Sequence, residues 1–325
     1  MARVLVTGGN GFVGSHLVEH LLHGGDTVTV FDVAPPAAGN SGAVRYLQGD
    51  VRDPDALAKA FADGVDIVYH LSAVVGVDRY LAVPADVVEI NLLGTLNLLR
   101  QARAVQAKVV VASTSEVYGK NPATPWQEES DRVLGSTSVD RWSYSTSKAL
   151  AEHLTFAYIR QYGLRAAIVR YFNVYGPRQR PAYVVSRSVH RALHGLAPEV
   201  YDGGGQTRCF TYINDAITGT VLVGNSPKSD GECFNIGSDR ETTVAEVIRI
   251  ICELTQLRAA AAPLDTALQF GTRYQDIVRR VPDTSKARNV LGWECGTSLH
   301  SGLRQTIEWA RRNPWWLEQN ADEGS

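Results

Sequence analysis

The tightest constraint on this chain lies at its start, in Val4-Leu5-Val6-Thr7-Gly8-Gly9-Asn10-Gly11-Phe12-Val13-Gly14. Val4 to Val6 reads as a buried strand, and a glycine-rich turn follows at once. Ser15-His16-Leu17-Val18-Glu19-His20-Leu21-Leu22 then carries apolar residues at helical spacing. Strand, glycine turn and helix start together form a dinucleotide-binding unit. Gly8 permits the tight turn, Gly11 lets the backbone approach a pyrophosphate, and Gly14 lets helix and strand pack closely. The phosphates are expected on free N–H groups at the positive end of the helix, where Phe12 and Val13 lie. The next apolar run, Thr27 to Phe31, ends in Asp32, about 20 residues beyond the glycines, where an acid binds the adenosine ribose hydroxyls. Asp32 repels a 2′-phosphate, and no Arg or Lys follows it closely. The expected cofactor is therefore NAD rather than NADP.

A chain of 325 residues makes one large domain or two of ordinary size. With 20% charged residues, a net charge of −2 and scattered Lys and Arg, neither a nucleic-acid nor a membrane partner is expected. No uninterrupted apolar stretch reaches about 18 residues, and the N-terminus enters a core strand directly, so no signal peptide is expected. Cys209, Cys233, Cys252 and Cys295 are far apart and lack metal or redox spacing, which reads as reduced thiols in cytoplasm. His190 and His194 sit four apart with no glutamate next to the first, which reads as surface helix; no metal is expected.

Along the chain, Asp26 to Phe31 is a second strand and Ala34 to Gly42 a Pro/Gly/Ala loop. Val44 to Val51 is a third strand, with Asp50, beside Val51, at its carboxyl end and able to hold the adenine amino group. Asp53 serves that end or caps the helix that follows it. Val65 to Ala73 is a fourth strand; at its end, Leu71-Ser72-Ala73, a backbone can pass close to the cofactor. Asn91 to Ala104 is a helix, and Val109 to Ala112 a fifth, fully apolar strand. Strands alternating with helices imply an α/β fold with a doubly wound parallel Rossmann sheet. Its ligands belong beyond the carboxyl ends of the strands.

Ser113-Thr114-Ser115-Glu116-Val117-Tyr118-Gly119 leaves the fifth strand at that edge. Tyr144-Ser145-Thr146-Ser147-Lys148 then opens a helix to about Tyr162, and Tyr and Lys four apart share a helix face. A cationic Lys148 beside the phenol favours the phenolate, so the Tyr144 pKa is expected to fall from near 10 toward working pH. The phenolate can take a proton from a sugar hydroxyl as hydride leaves the same carbon. Thr114 can hydrogen-bond the same oxygen.

These pieces resemble an extended short-chain dehydrogenase/reductase of the nucleotide-sugar epimerase/dehydratase family. The resemblance also rests on His70 to Ala73, Asn91 to Thr95, Arg170 to Arg178, Asp202 to Tyr212, Arg279 to Asp283 and Leu291-Gly292-Trp293, and covers nearly the whole chain. It implies NAD held on residues 1–172, with 208–237 returning to that domain. It implies a smaller C-terminal α/β domain, 173–207 and 238–325, gripping a nucleoside-diphosphate sugar. It implies that Lys148 also holds the nicotinamide ribose, that Asn91 borders the cofactor, and that Asn173 contacts the diphosphate region. Arg208 and Arg280 match positions that pair with the diphosphate, a natural task for planar guanidinium groups. Tyr201 packs near the nucleobase or is a simple strand aromatic. Family members commonly dimerise through the Tyr144 helix and its neighbour; Leu92, Leu96, Leu99, Leu150, Leu154 and Ala157 suit a homodimer contact or core packing equally.

The resemblance implies a shared first step, oxidation at sugar C4 to a 4-keto sugar. The 4,6-dehydratases place Asp-Glu after the hydroxyl residue; here the pair is Ser115-Glu116, so the acid is missing. Thr-Ser-Glu-Val-Tyr-Gly resembles UDP-glucuronate decarboxylases, in which the Glu is catalytic and an Arg matching Arg280 is catalytic too. Arg141-Trp142-Ser143-Tyr144 also resembles a bacterial decarboxylase. Gly176-Pro177-Arg178-Gln179-Arg180-Pro181 instead resembles UDP-glucuronate 4-epimerases, in which the Arg matching Arg180 binds the sugar carboxylate. The first expectation is a 4-epimerase acting on a UDP-hexuronate or UDP-hexose through Thr114, Tyr144 and Lys148, with Glu116 in the site. Decarboxylation, dehydration and a non-catalytic NAD(H)-binding role are the alternatives.

Overall fold

The computed structural model describes residues 1–35, 44–258, 261–266, 268 and 275–319. The first six strands are β1 (Arg3–Thr7), β2 (Thr27–Asp32), β3 (Val44–Gln48), β4 (Ile67–His70), β5 (Lys108–Thr114) and β6 (Ala166–Tyr171). They are followed by β7 (Val174–Tyr175), β8 (Glu199–Tyr201), β9 (Thr207–Cys209), β10 (Thr211–Tyr212) and β11 (Cys233–Ile236). The last three are β12 (Glu241–Thr243), β13 (Ala262–Leu264) and β14 (Arg279–Arg280). The helices that matter here are α1 (Phe12–His23), α2 (Pro54–Phe61), α3 (Val77–Ala82), α4 (Pro84–Val105), α5 (Ser143–Tyr162), α6 (Val184–Leu193) and α7 (Ile213–Asn225).

Seven strands form one sheet in the order β11-β6-β5-β4-β1-β2-β3, all paired in parallel. The order reverses between β1 and β4, which creates the crevice where such sheets bind ligands. Alternation along β1 sends Val4 and Val6 to one face, with Leu17 and Leu21 of α1. Leu5 goes to the other, with Leu98 and Leu99 of α4. Both faces are covered, so β5 is apolar from Val109 to Ala112 rather than alternating.

The short strands build small separate sheets: β7 with β10, β8 with β13, and β9 between β12 and β14. Then α7 packs on α1 and β6, and β11 rejoins the large sheet beside β6.

Several sequence expectations change. The third strand stops at Gln48, so Asp50 lies in a turn. The helix expected from Asn91 begins at Pro84, because proline suits a helix's first turn. Asp53 is a cap, accepting from Asp55 N–H and Ala56 N–H, both at 3.0 Å. His190 is not on the surface: it is buried, bonded to the Leu317 carbonyl at 3.0 Å, with its ring edge-on to Trp316. Spacing within one helix cannot reveal that the chain's far end returns to cover it. Leu99 belongs to the core, whereas Leu150 is exposed and Leu92, Leu96, Leu154 and Ala157 are half-buried. The four cysteines are free. Most of the Ala34 to Gly42 loop lies outside the described residues. Among the described residues no helix is long and apolar enough to cross a membrane.

Candidate active site

The dinucleotide turn is shaped as its glycines require. Gly8 has φ +71°, and a Cβ there would lie 2.8 Å from Ser72 N. A Cβ on Gly14 would lie 2.1 Å from the Gly8 carbonyl oxygen, so only glycine lets α1 start this close to β1. A Cβ on Gly11 would meet only the Gly8 oxygen, at 3.3 Å; its other side is open to a close approach. No side chain caps α1, which leaves the Phe12 and Val13 N–H groups without an intrahelical acceptor. The Asp32 carboxylate accepts from Asn10 N–H at 2.9 Å and Ala34 N–H at 3.0 Å, and each oxygen keeps a lone pair for a ribose hydroxyl. Leu71 N–H donates to the Thr7 carbonyl at 3.1 Å, which brings the end of β4, with Ser72 and Ala73, alongside Gly8. This cradle fits NAD.

Three expected cofactor residues also make contacts within the protein. Arg52 grips Asp50 at 2.7 Å and also reaches Asp86 on α4 at 2.9 Å; the hydrogen bonds from Arg52 hold the Asp50 carboxyl below its ordinary range. The Val51 side chain is buried beneath Gly94, and its carbonyl accepts from Asn97 at 3.1 Å. Asn91 is buried and donates to the Ser147 hydroxyl at 3.0 Å, so it joins α4 to α5. Next to it, Thr95 donates to the Asn91 carbonyl at 2.6 Å and so accepts from His70 Nε2, 3.1 Å away. This assigns the neutral tautomer of His70, with Nδ1 accepting from Thr7 at 2.8 Å. Burial pushes the His70 pKa down to about 3.

Thr114 ends β5, where its hydroxyl accepts from Glu116 N–H at 3.2 Å and shares a hydrogen bond with Tyr144. Tyr144, in the first turn of α5, is 5% exposed. Its ring stacks on Tyr80 of α3, with centroids 4.6 Å apart. Lys148 Nζ donates to the Ala112 carbonyl at 2.9 Å, and burial lowers its pKa to about 8 while Glu152 opposes the shift. The expected fall of the Tyr144 pKa is not found. Burial raises it above the ordinary phenol value, Glu116 and Tyr183 add to the rise, and Thr114 and Arg141 only partly offset it. The ammonium charge of Lys148 is spent on a backbone carbonyl, and desolvation wins.

A buried network fixes α5 on the sheet. Glu152, one turn after Lys148, accepts from Arg170 of β6 at 2.6 and 2.9 Å and from the Ser113 hydroxyl of β5. Arg170 continues to the Tyr118 hydroxyl at 2.8 Å and the Glu128 carbonyl at 2.7 Å.

Beside Tyr144 lies the second cluster. Glu116 is buried in the short turn after Thr114 and next to buried Ser115. Arg141 Nη1 reaches its Oε2 at 2.6 Å and Arg280 Nη1 its Oε1 at 3.1 Å. Burial raises the Glu116 carboxyl, but Arg141 and then Arg280 outweigh it and hold the pKa at about 2. Glu116 is therefore a fixed anion.

Arg208 and Arg280 are register partners on β9 and β14, and Arg208 is paired with Asp276. Arg180 is paired with Asp78 of α3 at 3.0 Å. Close by, the Tyr183 hydroxyl donates to the Val75 carbonyl at 3.2 Å. Asn173 has φ +40° and lies after β6 at the crevice end of the sheet. Tyr201 accepts from Arg187 at 3.1 Å, which suits a strand aromatic with a polar tip. Sequence reasoning left Tyr80, Asp78, Tyr183 and Asp276 unnamed, since none belongs to a motif. It quoted Arg141 only within a resemblance, although its place just ahead of Tyr144 was a usable signal.

Residues 4–237 match the NAD dependent epimerase/dehydratase family. The chain is 37% identical to a UDP-N-acetyl-alpha-D-glucosaminuronate decarboxylase of Bacillus cytotoxicus, over 95% of this chain and 98% of that one. It is 34% identical to UDP-glucuronic acid decarboxylase 1 of Xenopus tropicalis, over 98% of this chain and 74% of that one. Its fold is that of a Thermus thermophilus UDP-glucose 4-epimerase solved in complex with NAD, with TM-score 0.84 and 32% identity over 95% and 99% of the two chains. With the glycine cradle, Asp32 and the Thr114, Tyr144 and Lys148 set in place, the chain belongs to the NAD-dependent epimerase/dehydratase family and is a nucleotide-sugar-modifying enzyme.

Proposed function

We propose that this enzyme decarboxylates a UDP-hexuronate, UDP-glucuronate or its 2-acetamido analogue, through a 4-keto intermediate. The observation that carries this reading is Glu116, buried and ionised between Arg141 and Arg280, two residues after Thr114. A 4-epimerase working through Thr114, Tyr144 and Lys148 has no chemical use for a carboxylate clamped by two guanidiniums. Similarity over 95% and 98% of this chain to two UDP-hexuronate decarboxylases supports the same choice. It therefore replaces 4-epimerisation as the first reading. Arg180, the residue behind the epimerase expectation, is held by Asp78.

NAD, which Gly8, Gly11, Gly14 and Asp32 would hold, would supply the acceptor for the C4 hydride and its return. Tyr144 would have to be ionised in the loaded site to take the C4 hydroxyl proton, with Thr114 orienting that oxygen. The ketone then stands β to the carboxylate. As the C5–C6 bond breaks, its electron pair moves onto the C4 oxygen, where the Thr114 and Tyr144 hydroxyls donate hydrogen bonds to the charge. Arg280 meets the carboxylate that leaves as carbon dioxide, Glu116 holds Arg280 in place, and C5 takes its proton from water. Ser115 stands where 4,6-dehydratases carry an acid, which disfavours loss of water. We further assign a homodimer through α4 and α5, whose Leu93 and Leu150 are exposed.

The test is NMR of products from UDP-glucuronate and its 2-acetamido analogue, with NAD, in deuterated water. The expected product is a UDP-pentose carrying one deuterium at C5, with carbon dioxide released. UDP-galacturonate without carbon dioxide would restore the epimerase.

A further inference from the structure

The small β12-β9-β14 sheet does something costly. It sets Arg208 and Arg280 directly beside each other on adjacent parallel strands, and like charges so placed repel. Asp276, just ahead of β14, sits between them. Arg208 Nη2 donates to its two oxygens at 3.2 and 3.1 Å. Arg280 Nη2 stands 4.0 Å from Oδ1, and Ile277 N–H donates to the same oxygen at 2.8 Å. Arg280 then passes to Glu116, and Glu116 to Arg141. Charges alternate along one line: Arg208, Asp276, Arg280, Glu116, Arg141. Arg280 is buried, and its Nε has no hydrogen-bond acceptor among the described residues.

We propose that Asp276 is a stand-in anion, a positioning residue that holds Arg208 beside Arg280 until the diphosphate of the nucleotide sugar takes its place on Arg208. The inference rests on the reading of Arg208 as the diphosphate ligand and of Glu116 with Arg280 as the reacting pair. A diphosphate carries more charge than one carboxylate and matches the guanidinium fork, so it displaces Asp276 from Arg208. Asp276 then turns to Arg280, already within reach, and steadies it beside Glu116. Diphosphate binding at one end of the line thus sets the carboxylate-facing pair at the other. The nucleotide part of the substrate reports its arrival to the sugar part of the site.

The experiment is Asp276→Asn in the full-length enzyme with NAD bound. Asparagine keeps the shape and the bond from Ile277 N–H but removes the competing charge. Calorimetry should show UDP binding tighter by about 3- to 10-fold, the scale of one charge removed from a half-buried site, with uridine unchanged. Turnover of the uronate should fall by about 10-fold or more while KM falls or stays level. A merely structural role would weaken UDP and turnover together, and that result overturns the proposal, as does unchanged UDP affinity. Asp276→Glu, which keeps the charge, should bind UDP within about 2-fold of wild type; tightening equal to that of the asparagine variant also overturns it. The UDP measurement needs no turnover, so it decides on Asp276 even if the enzyme proves not to decarboxylate.

Discussion

Glu116 and Arg280 lie 164 residues apart in the chain, yet their side chains meet at 3.1 Å. The meeting requires β5 to end at Thr114, and β14 to pair with β9 so that Arg280 faces the end of the large sheet. This part of the site is therefore assembled from two different sheets. Removing either residue leaves the other charge buried and short of a partner.

Glu116→Gln should cut turnover of the uronate by about 100-fold or more, since Glu116 positions Arg280 at the reacting end of the substrate. NAD binding, measured by fluorescence quenching, should stay unchanged, because the glycine cradle lies at the other side of the crevice. Turnover within a few-fold of wild type would remove Glu116 from the reaction.

The same variant has a pH signature. The Glu116 pKa is depressed from its ordinary 4.5 to about 2 in the folded protein. Its contribution to stability is therefore complete above about 4.5 and is lost as pH falls toward 2. Urea midpoints between pH 5 and pH 3 should drop less for Glu116→Gln than for wild type. A parallel drop in the two proteins would mean the carboxyl is not held ionised by Arg141 and Arg280.

Glu152→Ala should destabilise the fold by about 3–5 kcal/mol, because it strands the Arg170 guanidinium in the interior. Denaturant unfolding reads this directly. Smaller losses, near 1 kcal/mol, would place the network in contact with water.

Gly14→Ala forces a methyl to within 2.1 Å of the Gly8 carbonyl. It should lower stability by roughly 1–3 kcal/mol and abolish the thermal shift produced by NAD. A normal NAD response would show that the turn can open without losing the cofactor.

Leu150→Glu places a charge on the exposed apolar face of α5 and should yield monomers by light scattering. An unchanged mass would put the subunit contact elsewhere.

The sequence by itself determined the large sheet, because Val4 to Gly14 and the apolar runs at Val28, Val68 and Val109 are local signals. Period and turn chemistry act over a few residues and need no distant partner. It also determined the cofactor end: Gly8, Gly14 and Asp32 lie where the pattern placed them. Thr114, Tyr144 and Lys148 were legible because one strand end and one helix start carry all three. Only the tertiary structure decided what those groups experience. Tyr144 sits against Tyr80 and near Glu116, so its phenol is raised where helix spacing alone suggested a fall. Asp50 faces Arg52, and Asn91 faces Ser147. Likewise, Arg208, Asp276, Arg280, Glu116 and Arg141 form one line of charge only because β14 lies beside β9. Charge pairing acts through space over a few ångströms, and the spacing of residues along the chain holds no record of which side chains will share that space.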